Sequence, residues 1–357
     1  MKYIRKKRKW ISIMVPVVAL LLGGCGIQQS EKLSCTDTAM GTIVQQTLYV
    51  RSDMDQAGVG QDIPREVMSL LVSLEIETLS WREKTSEVYQ INQSDETTGY
   101  PLSDKMQKYL ECVDDVWKKS EGALDVTLGS VTRLWDIDGR ALGKEQGDSG
   151  AEPDGFKIPD RQMLQEVLND TGFGKVKIAD GRIYMPAQMK FDLGAVGKGI
   201  ACDEVLALLS GREAVEGAVI SIGGSILTYG EKPDGNCWKV AIQHPRMKGE
   251  SIAVLQLRGN WCISTSGDYE RYVEENGERY HHIMDPKTGY PADSGLISVT
   301  IVSKSGILSD ALSTACFILG KDAGLSLCEA YGVQAYMVDR DLNVYMTEGM
   351  DKLLILR

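Results

Sequence analysis

The sequence is poor in histidine, with three in 357 residues, and it contains no C-x-x-C pair. Its N-terminal apolar stretch, from Trp10 to Leu22, is shorter than the roughly 20 residues that a membrane-spanning helix needs. It matches neither the P-loop pattern nor the dinucleotide-binding glycine fingerprint, and it shows no internal repeat. These absences argue against a thiolate metal site, a spanning helix and the commonest nucleotide-binding motifs.

Acidic side chains outnumber basic ones outside the N-terminus. Residues 1–24 carry six basic side chains and no acidic one, so removing their six charges takes the net charge from −11 to −17. Nucleic-acid binding needs clusters of Lys and Arg against the phosphates, and the composition therefore argues against a nucleic-acid partner. A bound nucleotide would have to be held locally, by backbone amides and a metal.

The N-terminus predicts an export signal, because a basic start is followed by the short apolar stretch and by Leu22-Gly23-Gly24-Cys25. Those four residues resemble the bacterial lipobox, in which the cysteine is diacylated and becomes the first residue of the mature chain. An ordinary signal peptide followed by an incidental cysteine is the alternative. We expect a signal peptide over 1–24, a lipidated Cys25 with a polar tether over 25–37, and one domain over 38–357. The lipid would hold the protein on the extracytoplasmic face of the cell membrane.

The other seven cysteines are scattered along the chain and do not form a metal-thiolate framework. Cys316 lies in the apolar run Ala315–Leu319, a setting typical of a buried free thiol. Disulfides are also compatible with an exported protein, but an odd number of cysteines leaves at least one thiol unpaired.

Hydrophobic periodicity predicts an α+β protein with mixed or antiparallel sheets, its helices in two interlocked lobes and the functional site between them. Asp180-Gly181 predicts a tight hairpin turn, and the Gly- and Asp-rich stretch 136–160 predicts a surface loop. The predicted helices start near Asp62 and Ser103 and cover 161–169, a stretch after Gly197, 307–319 and 321–331. The predicted strands cover 42–50, 175–179, 182–185, 217–222, 238–243, 251–257, 261–264, 280–284, 296–303, 333–339 and 343–347.

Two of the three histidines, His281 and His282, lie beside an Asp285-Pro286 turn. On a strand they would face opposite sides, so at most one can face a site. Further on, Asp310 and Thr314 are four residues apart in a helix-like stretch, which puts two oxygen ligands for a hard cation such as Mg²⁺ on one face. A helix cap and a back-bonded hydroxyl would give the same pattern.

Two glycine-rich segments have both structural and functional interpretations. Phe191–Gly199 passes from a strand end through three glycines into a helix, where backbone N–H groups can hold a phosphate, and Lys198 favours an anion site. Ser221–Ser225 interrupts an apolar strand, either as a bulge or where another group approaches the backbone closely. Asp125 and Thr127 share one side of an extended segment, which by itself is uninformative.

Taken together, eight segments occur in the order typical of the ApbE family, and the chain from residue 38 to about 350 resembles these flavin transferases. The segments are Met40–Thr42, Ser86–Asn92, Gly122–Thr127 with Trp135, Asp192–Gly199, Ser221–Gly224, Thr265–Arg271, His282–Gly289 and Asp310–Thr314.

The resemblance implies a Mg²⁺-dependent transfer of FMN from FAD to a threonine or serine hydroxyl of a target flavoprotein, with release of AMP. The targets would be FMN-binding subunits of Rnf- or Nqr-type redox complexes or related extracellular flavoproteins. A lipid-anchored FAD carrier and an enzyme that only hydrolyses FAD to FMN and AMP are the alternatives.

The resemblance also implies the site residues. The metal ligands would be the Ala195 carbonyl, Asp310 and Thr314. The catalytic pair would be His282, as base, and Asp285, which would shape the turn or support His282. The FAD site would be lined by Met40, Ala123, Leu124, Asp125, Asp192, Lys198 and Ile283.

Three positions depart from the family pattern. Leu124 replaces a common Phe, Trp81-Arg82 replaces a frequent tyrosine near the flavin, and Asp136-Ile137 replaces a Gly-Phe pair. The sequence therefore leaves the residue that stacks on the flavin unassigned.

Overall fold

A computed structural model describes residues 30–52, 59–137, 139 and 156–355, and it confirms the α+β class. The helices are α1 Val59–Leu74, α2 Glu87–Ile91, α3 Asp104–Lys119, α4 Gly129–Trp135, α5 Arg161–Leu168, α6 Gly197–Ser210, α7 Gly306–Leu319 and α8 Lys321–Tyr331. The strands are β1 Ser30–Ala39, β2 Thr42–Arg51, β3 Tyr100–Pro101, β4 Lys177–Ala179, β5 Arg182–Tyr184, β6 Val215–Ile222, β7 Ser225–Gly230, β8 Trp238–Gln243, β9 Ser251–Leu257, β10 Trp261–Gly267, β11 Tyr272–Glu275, β12 Glu278–His281, β13 Leu296–Ser303, β14 Gln334–Asp339 and β15 Val344–Met346. No helix in the described part of the chain combines the length and the apolar character that a membrane crossing needs.

The main sheet has eight strands in the order β1-β2-β6-β7-β10-β13-β14-β15, and every neighbouring pair is antiparallel. The order follows the chain, with the β8–β9 and β11–β12 hairpins inserted between neighbours and residues 52–214 inserted between β2 and β6. All eight residues of β13 are buried, because α7 packs on one face and side chains of β8 and β9 pack on the other. This antiparallel arrangement confirms the predicted sheet type, while the two-lobe description stays a prediction.

Most predicted elements are confirmed within a few residues. Ser103 caps α3 by accepting from the Met106 N–H at 3.1 Å. Asp180 and Gly181 have φ of 50° and 69° between β4 and β5, as a two-residue hairpin turn requires. Helix α1 begins at Val59, earlier than the predicted start at Asp62.

Two interpretations are wrong. The tether does not extend to residue 37, because residues 30–39 form β1 and pair with β2 along its whole length. Its side chains are largely polar because β1 is an edge strand, with alternate positions exposed. The Ser221–Ser225 segment is not a bulge: Gly223-Gly224 is the turn of a hairpin, and β7 after it was not predicted.

The signal peptide, Cys25, residues 26–29 and most of the predicted loop 136–160 lie outside the described residues.

Candidate functional site

A cleft of about 970 Å³ lies where the β1–β2 and β6–β7 turns and the end of β10 meet the first turn of α6 and one face of α7. Every site residue predicted above lines it except Leu124, Asp285 and Cys25, the last of which is outside the described residues. Polar residues without a predicted role also line it, among them Thr42, Glu75, Thr132, Ser221, Ser266, Glu270 and Arg271.

Asp310 is the carboxylate at the centre of the α6–α7 contact. It is only 3% exposed, and it accepts from the Gly199 N–H at 2.9 Å and from the Lys198 N–H. Burial raises the pKa of Asp310, and the positive charge of Lys198 partly opposes that rise. The carboxylate therefore sits at the N-terminal end of α6, beside the cation of the glycine-rich turn.

The close approach of α6 and α7 depends on a pair of glycines. A Cβ added at Gly199 would collide with the Gly306 carbonyl, and one at Gly306 would collide with the Gly199 carbonyl. Asp203 of α6 then caps α7, accepting from the N–H groups of Gly306 at 2.6 Å and Ile307 at 2.9 Å. The two helices are locked so that Asp310 faces the start of α6.

A chain of buried hydroxyls supports Asp310 from the sheet. Ser225 donates to the Asp310 Oδ1 at a long 3.5 Å, and Ser264 bonds Ser225 at 3.1 Å and Ser309 at 2.8 Å. Ser266 lies 3.3 Å from the Thr314 hydroxyl. Serine is too common for this role to be read from one sequence, although Ser266 falls inside the Thr265–Arg271 segment.

The donors around Asp310 suit a hard cation. Asp310, Thr314 and Ala195 all line the cleft and offer a carboxylate, a hydroxyl and a carbonyl oxygen. Within the described ranges there is no group of three or more His, Cys, Asp or Glu side chains able to hold a metal. Such a single-carboxylate site matches the way Mg²⁺ is commonly held, by one or two carboxylates together with substrate phosphates.

Asp192 is fixed in the lining of the cleft. Its side chain accepts from the Thr132 hydroxyl and the Gly194 N–H, both at 2.9 Å. The preceding residue, Phe191, is held through both backbone groups by the buried Asn92 amide, at 2.6 and 3.0 Å. This contact explains why the Ser86–Asn92 segment belongs to the site although it does not line it.

Asp125 is held by neighbouring donors on the cleft wall. It accepts from the Thr127 N–H at 2.8 Å, from the Thr127 hydroxyl at 2.6 Å and from the Phe173 N–H at 3.2 Å. Burial raises its pKa and outweighs these bonds. The assignment of Leu124 to the site stays a prediction: its side chain is 0% exposed and belongs to the hydrophobic core, whereas the neighbouring Ala123 and Asp125 line the cleft.

Met40 occupies a strained turn at the mouth of the cleft. Met40 and Gly41 have φ of 54° and 65°, and a positive φ is uncommon for methionine. The Met40 N–H donates to Glu75 Oε2 at 2.7 Å, and the Arg271 guanidinium donates to the Gly41 carbonyl at 3.2 Å. Glu75 begins a short π-helix, Glu75–Leu79, a feature that often marks functional sites.

The two adjacent histidines have different environments, and only His282 lines the cleft, as alternation predicts. His281 is 6% exposed, has its Nε2 3.1 Å from the Ala292 carbonyl and packs edge-on against Phe317. Burial lowers the pKa of His281. The Nδ1 of His282 lies 3.1 Å from the Arg271 carbonyl, which can only accept. This contact favours a proton on Nδ1 and leaves Nε2 as an acceptor.

Asp285 shapes the turn that follows His282. Its Oδ1 accepts from the Lys287 N–H and its carbonyl accepts from the Gly289 N–H, both at 2.8 Å. It does not line the cleft, and of its two implied roles the hydrogen bonds support the turn, so its assignment as catalytic stays a prediction.

Trp81 is packed against two arginines rather than exposed in the cleft lining. It lies outside the lining, with the Arg82 and Arg133 guanidiniums 3.9 Å and 4.4 Å from its ring centroid. In the described part of the chain, no Phe, Tyr or Trp lines the cleft, whereas Met40, Met284, Leu128 and Ile283 do. The apolar part of a ligand would therefore meet thioether and aliphatic groups.

A cleft with a buried carboxylate, a lysine and a helix start at one end and apolar side chains elsewhere is suited to a phosphate-containing ligand of nucleotide size. A sequence model described as the ApbE family matches residues 40–337. The chain belongs to the ApbE family.

Named relatives cover almost the whole chain. The FAD:protein FMN transferase of Haemophilus influenzae is 31% identical over 351 residues, 96% of this chain and 96% of the relative. That of Vibrio cholerae is 29% identical over 93% of each chain. The crystal structure of the ApbE protein from Thermotoga maritima aligns with a TM-score of 0.78 and 27% identity, over 91% of this chain and 100% of the other. The flavin transferase ApbE from Vibrio cholerae aligns with a TM-score of 0.77 and 25% identity, over the same shares.

Proposed function

We propose that this ApbE-family enzyme, an FAD:protein FMN transferase with FAD as its substrate, transfers FMN to a threonine or serine hydroxyl of a target flavoprotein and releases AMP. We further propose that the transfer depends on Mg²⁺. The observation that carries the proposal is the placement of the buried Asp310 against the first turn of α6, beside Lys198 and Thr314, in a cleft of nucleotide size.

Residues of this chain are placed to bind the metal ion and the phosphates of FAD. Asp310, Thr314 and the Ala195 carbonyl would hold the Mg²⁺, which neutralises pyrophosphate charge when bound. Lys198 and the backbone N–H groups at the start of α6 would orient the phosphates. Met40 and Met284 line the cleft where the flavin ring could pack.

His282 is the proposed general base. As the acceptor hydroxyl oxygen bonds to the FMN phosphorus and the bond to the AMP oxygen breaks, the hydroxyl proton moves to His282 Nε2. The Arg271 carbonyl holds Nδ1–H in place, so the ring presents its acceptor nitrogen throughout.

One experiment tests the proposal against hydrolysis and simple binding. The mature protein is incubated with FAD, Mg²⁺ and a candidate FMN-binding subunit as acceptor, and the mass of the acceptor is measured by mass spectrometry. A covalent FMN adduct is expected. Free FMN without an adduct would show a hydrolase, and unchanged FAD would show a carrier.

The proposed location is the extracytoplasmic face of the cell membrane, through a lipid on Cys25, and the proposed acceptors are FMN-binding subunits of Rnf- or Nqr-type complexes or related extracellular flavoproteins. The Leu22-Gly23-Gly24-Cys25 segment supports the anchor. Cys25→Ser should release the protein from membranes or leave it unprocessed. A wild-type chain that is cleaved elsewhere and lacks an acyl mass would overturn the anchor.

A further inference from the structure

A second groove, of about 620 Å³, lies on the main sheet away from the cleft. Its walls come from β1, β2, β6 and the β8–β9 hairpin, and its floor includes Tyr49 and Trp238, whose ring centroids are 6.0 Å apart. Four cationic side chains line it, Lys32, Lys232, Lys239 and Arg258. The function proposed above uses none of these residues.

The groove carries positive charge that nearby carboxylates do not fully neutralise. Lys232 pairs with Asp234 at 3.2 Å and Arg258 pairs with Glu231 at 3.5 Å. Lys32 and Lys239 are exposed and form no ion pair with any residue that the structure describes. A cationic groove on a chain whose net charge is −17 without its first 24 residues creates a local field for an anionic partner.

The groove lies at the end of β1 where the described chain begins. Lys32 is two residues from Ser30, and it is the register partner of Tyr49 between β1 and β2. In the same groove, Trp238 Nε1 donates to the Gly230 carbonyl at 3.0 Å. The other end of β1, Thr38 and Ala39, lines the catalytic cleft. Ten residues of strand put about 30 Å between the two ends.

Chain length limits how far the groove can be from an anchor at Cys25. Ser30 is the fifth residue after Cys25, and five residue steps of fully extended chain span at most about 18 Å. An anchored protein must therefore keep the Ser30 end of β1 close to the bilayer surface.

We propose that the groove binds the headgroups of anionic phospholipids and orients the anchored enzyme with its catalytic cleft about one strand length farther from the membrane. This inference rests on the lipid anchor proposed above. An acidic segment of a partner protein is negatively charged like the lipid headgroups, but the position of the groove beside the anchor favours the lipid surface.

Cys237 lines the groove and provides a native reporter. The full acylated chain is reconstituted into vesicles of phosphatidylcholine, alone or mixed with phosphatidylglycerol, and treated with a membrane-impermeant maleimide. Labelling of Cys237 is compared by peptide mass spectrometry with that of Cys112 on α3. We expect phosphatidylglycerol to slow Cys237 labelling about fivefold or more, since each lysine near an anionic surface contributes about that factor.

The double variant Lys32→Glu/Lys239→Glu should lose this protection while still carrying the acyl group and transferring FMN. The matched control Lys108→Glu/Lys177→Glu changes exposed lysines outside the groove and should keep it. Equal labelling of Cys237 in both lipids, or protection that survives the groove variant, overturns the proposal. Either result does so even if the groove is later found to bind an acidic protein.

Failure of the anchor is seen separately, as a missing acyl mass on Cys25. If the acyl group is missing, the same maleimide labelling is carried out on the unacylated chain in the presence of an excess of the same vesicles. Absence of Cys237 protection by phosphatidylglycerol there also overturns the groove proposal.

Discussion

At the scale of single residues, His282 and His281 are neighbours in the chain and opposites in environment. His282 faces the cleft, and His281 is buried against Phe317 with both ring nitrogens engaged by backbone groups. His282→Ala should keep FAD affinity and lose transfer by about a hundredfold or more, because a base acts while the new bond forms. FAD titration and single-turnover kinetics measure the two effects.

The matched variant is His281→Ala, which should lower stability but change the transfer rate much less. The reverse order of effects on transfer, or a wild-type rate in His282→Ala, would show that another group is the base.

Asp310→Asn isolates the charge of the proposed metal ligand, since asparagine keeps the shape and one oxygen that can accept from Gly199. Transfer should fall steeply at ordinary Mg²⁺ concentrations and recover in part as Mg²⁺ is raised. Transfer rates over a Mg²⁺ titration, with thermal unfolding as the check on folding, measure this. A variant that transfers FMN normally at low Mg²⁺ would place the metal elsewhere.

Glu75 holds Met40 at the cleft mouth through the hydrogen bond to its backbone. Glu75→Ala should raise the KM for FAD about tenfold with little change in kcat, because losing a hydrogen bond to a charged group costs about 1.5 kcal/mol or more. Glu75→Gln retains an acceptor and should restore most of the affinity. Equal effects of the two substitutions would point to the charge rather than the turn geometry.

At the scale of elements, the α6–α7 contact is the support on which the proposed metal site rests. Gly199→Ala would push a methyl group into the Gly306 carbonyl and within 2.7 Å of the Asp310 Cβ. We expect a loss of about 2 kcal/mol or more in the free energy of unfolding. We also expect a lower affinity for Mg²⁺ in the transfer assay, because the helices that support the proposed ligands separate. Denaturant unfolding checks the stability.

Gly211→Ala is the control for that substitution. It lies at the end of the same helix, where an added Cβ meets only the Leu208 carbonyl at an ordinary 3.6 Å. A comparable loss of stability in both variants would mean that the close helix approach is not the reason.

Elements with a strong local signal were predictable from the sequence. Helix α3 has a capping serine and a clear apolar face, and the β4–β5 hairpin has an Asp-Gly turn. Strand β1 was not predictable, because an edge strand can be polar on alternate positions and then looks like a linker. Strand β7 was missed because the two glycines before it were interpreted as an irregularity within one strand.

At the scale of the whole molecule, the cleft is formed by segments that are far apart in the sequence. This limited how many of its residues could be predicted from the sequence. Asp310, His282 and Asp192 carry chemistry that a family pattern can identify, and the structure brings them to one cleft. Glu75 and Ser225 act through contacts with residues 35 and 85 positions away, which no local pattern encodes. Leu124 and Asp285 do not line the cleft, because being close to a lining residue in the chain does not place a side chain in the same cavity.

The long insertion between β2 and β6 has a consequence for folding. Pairing these strands closes the segment 52–214, whereas most other sheet pairs join strands linked by much shorter connections. Closing a long loop costs more entropy, and non-local strand pairing slows folding. The cleft needs residues from both sides of that closure, so we expect secondary structure to form before flavin affinity appears. During refolding, far-UV circular dichroism should recover ahead of FAD fluorescence quenching, which makes substrate binding a reporter of the last step in folding.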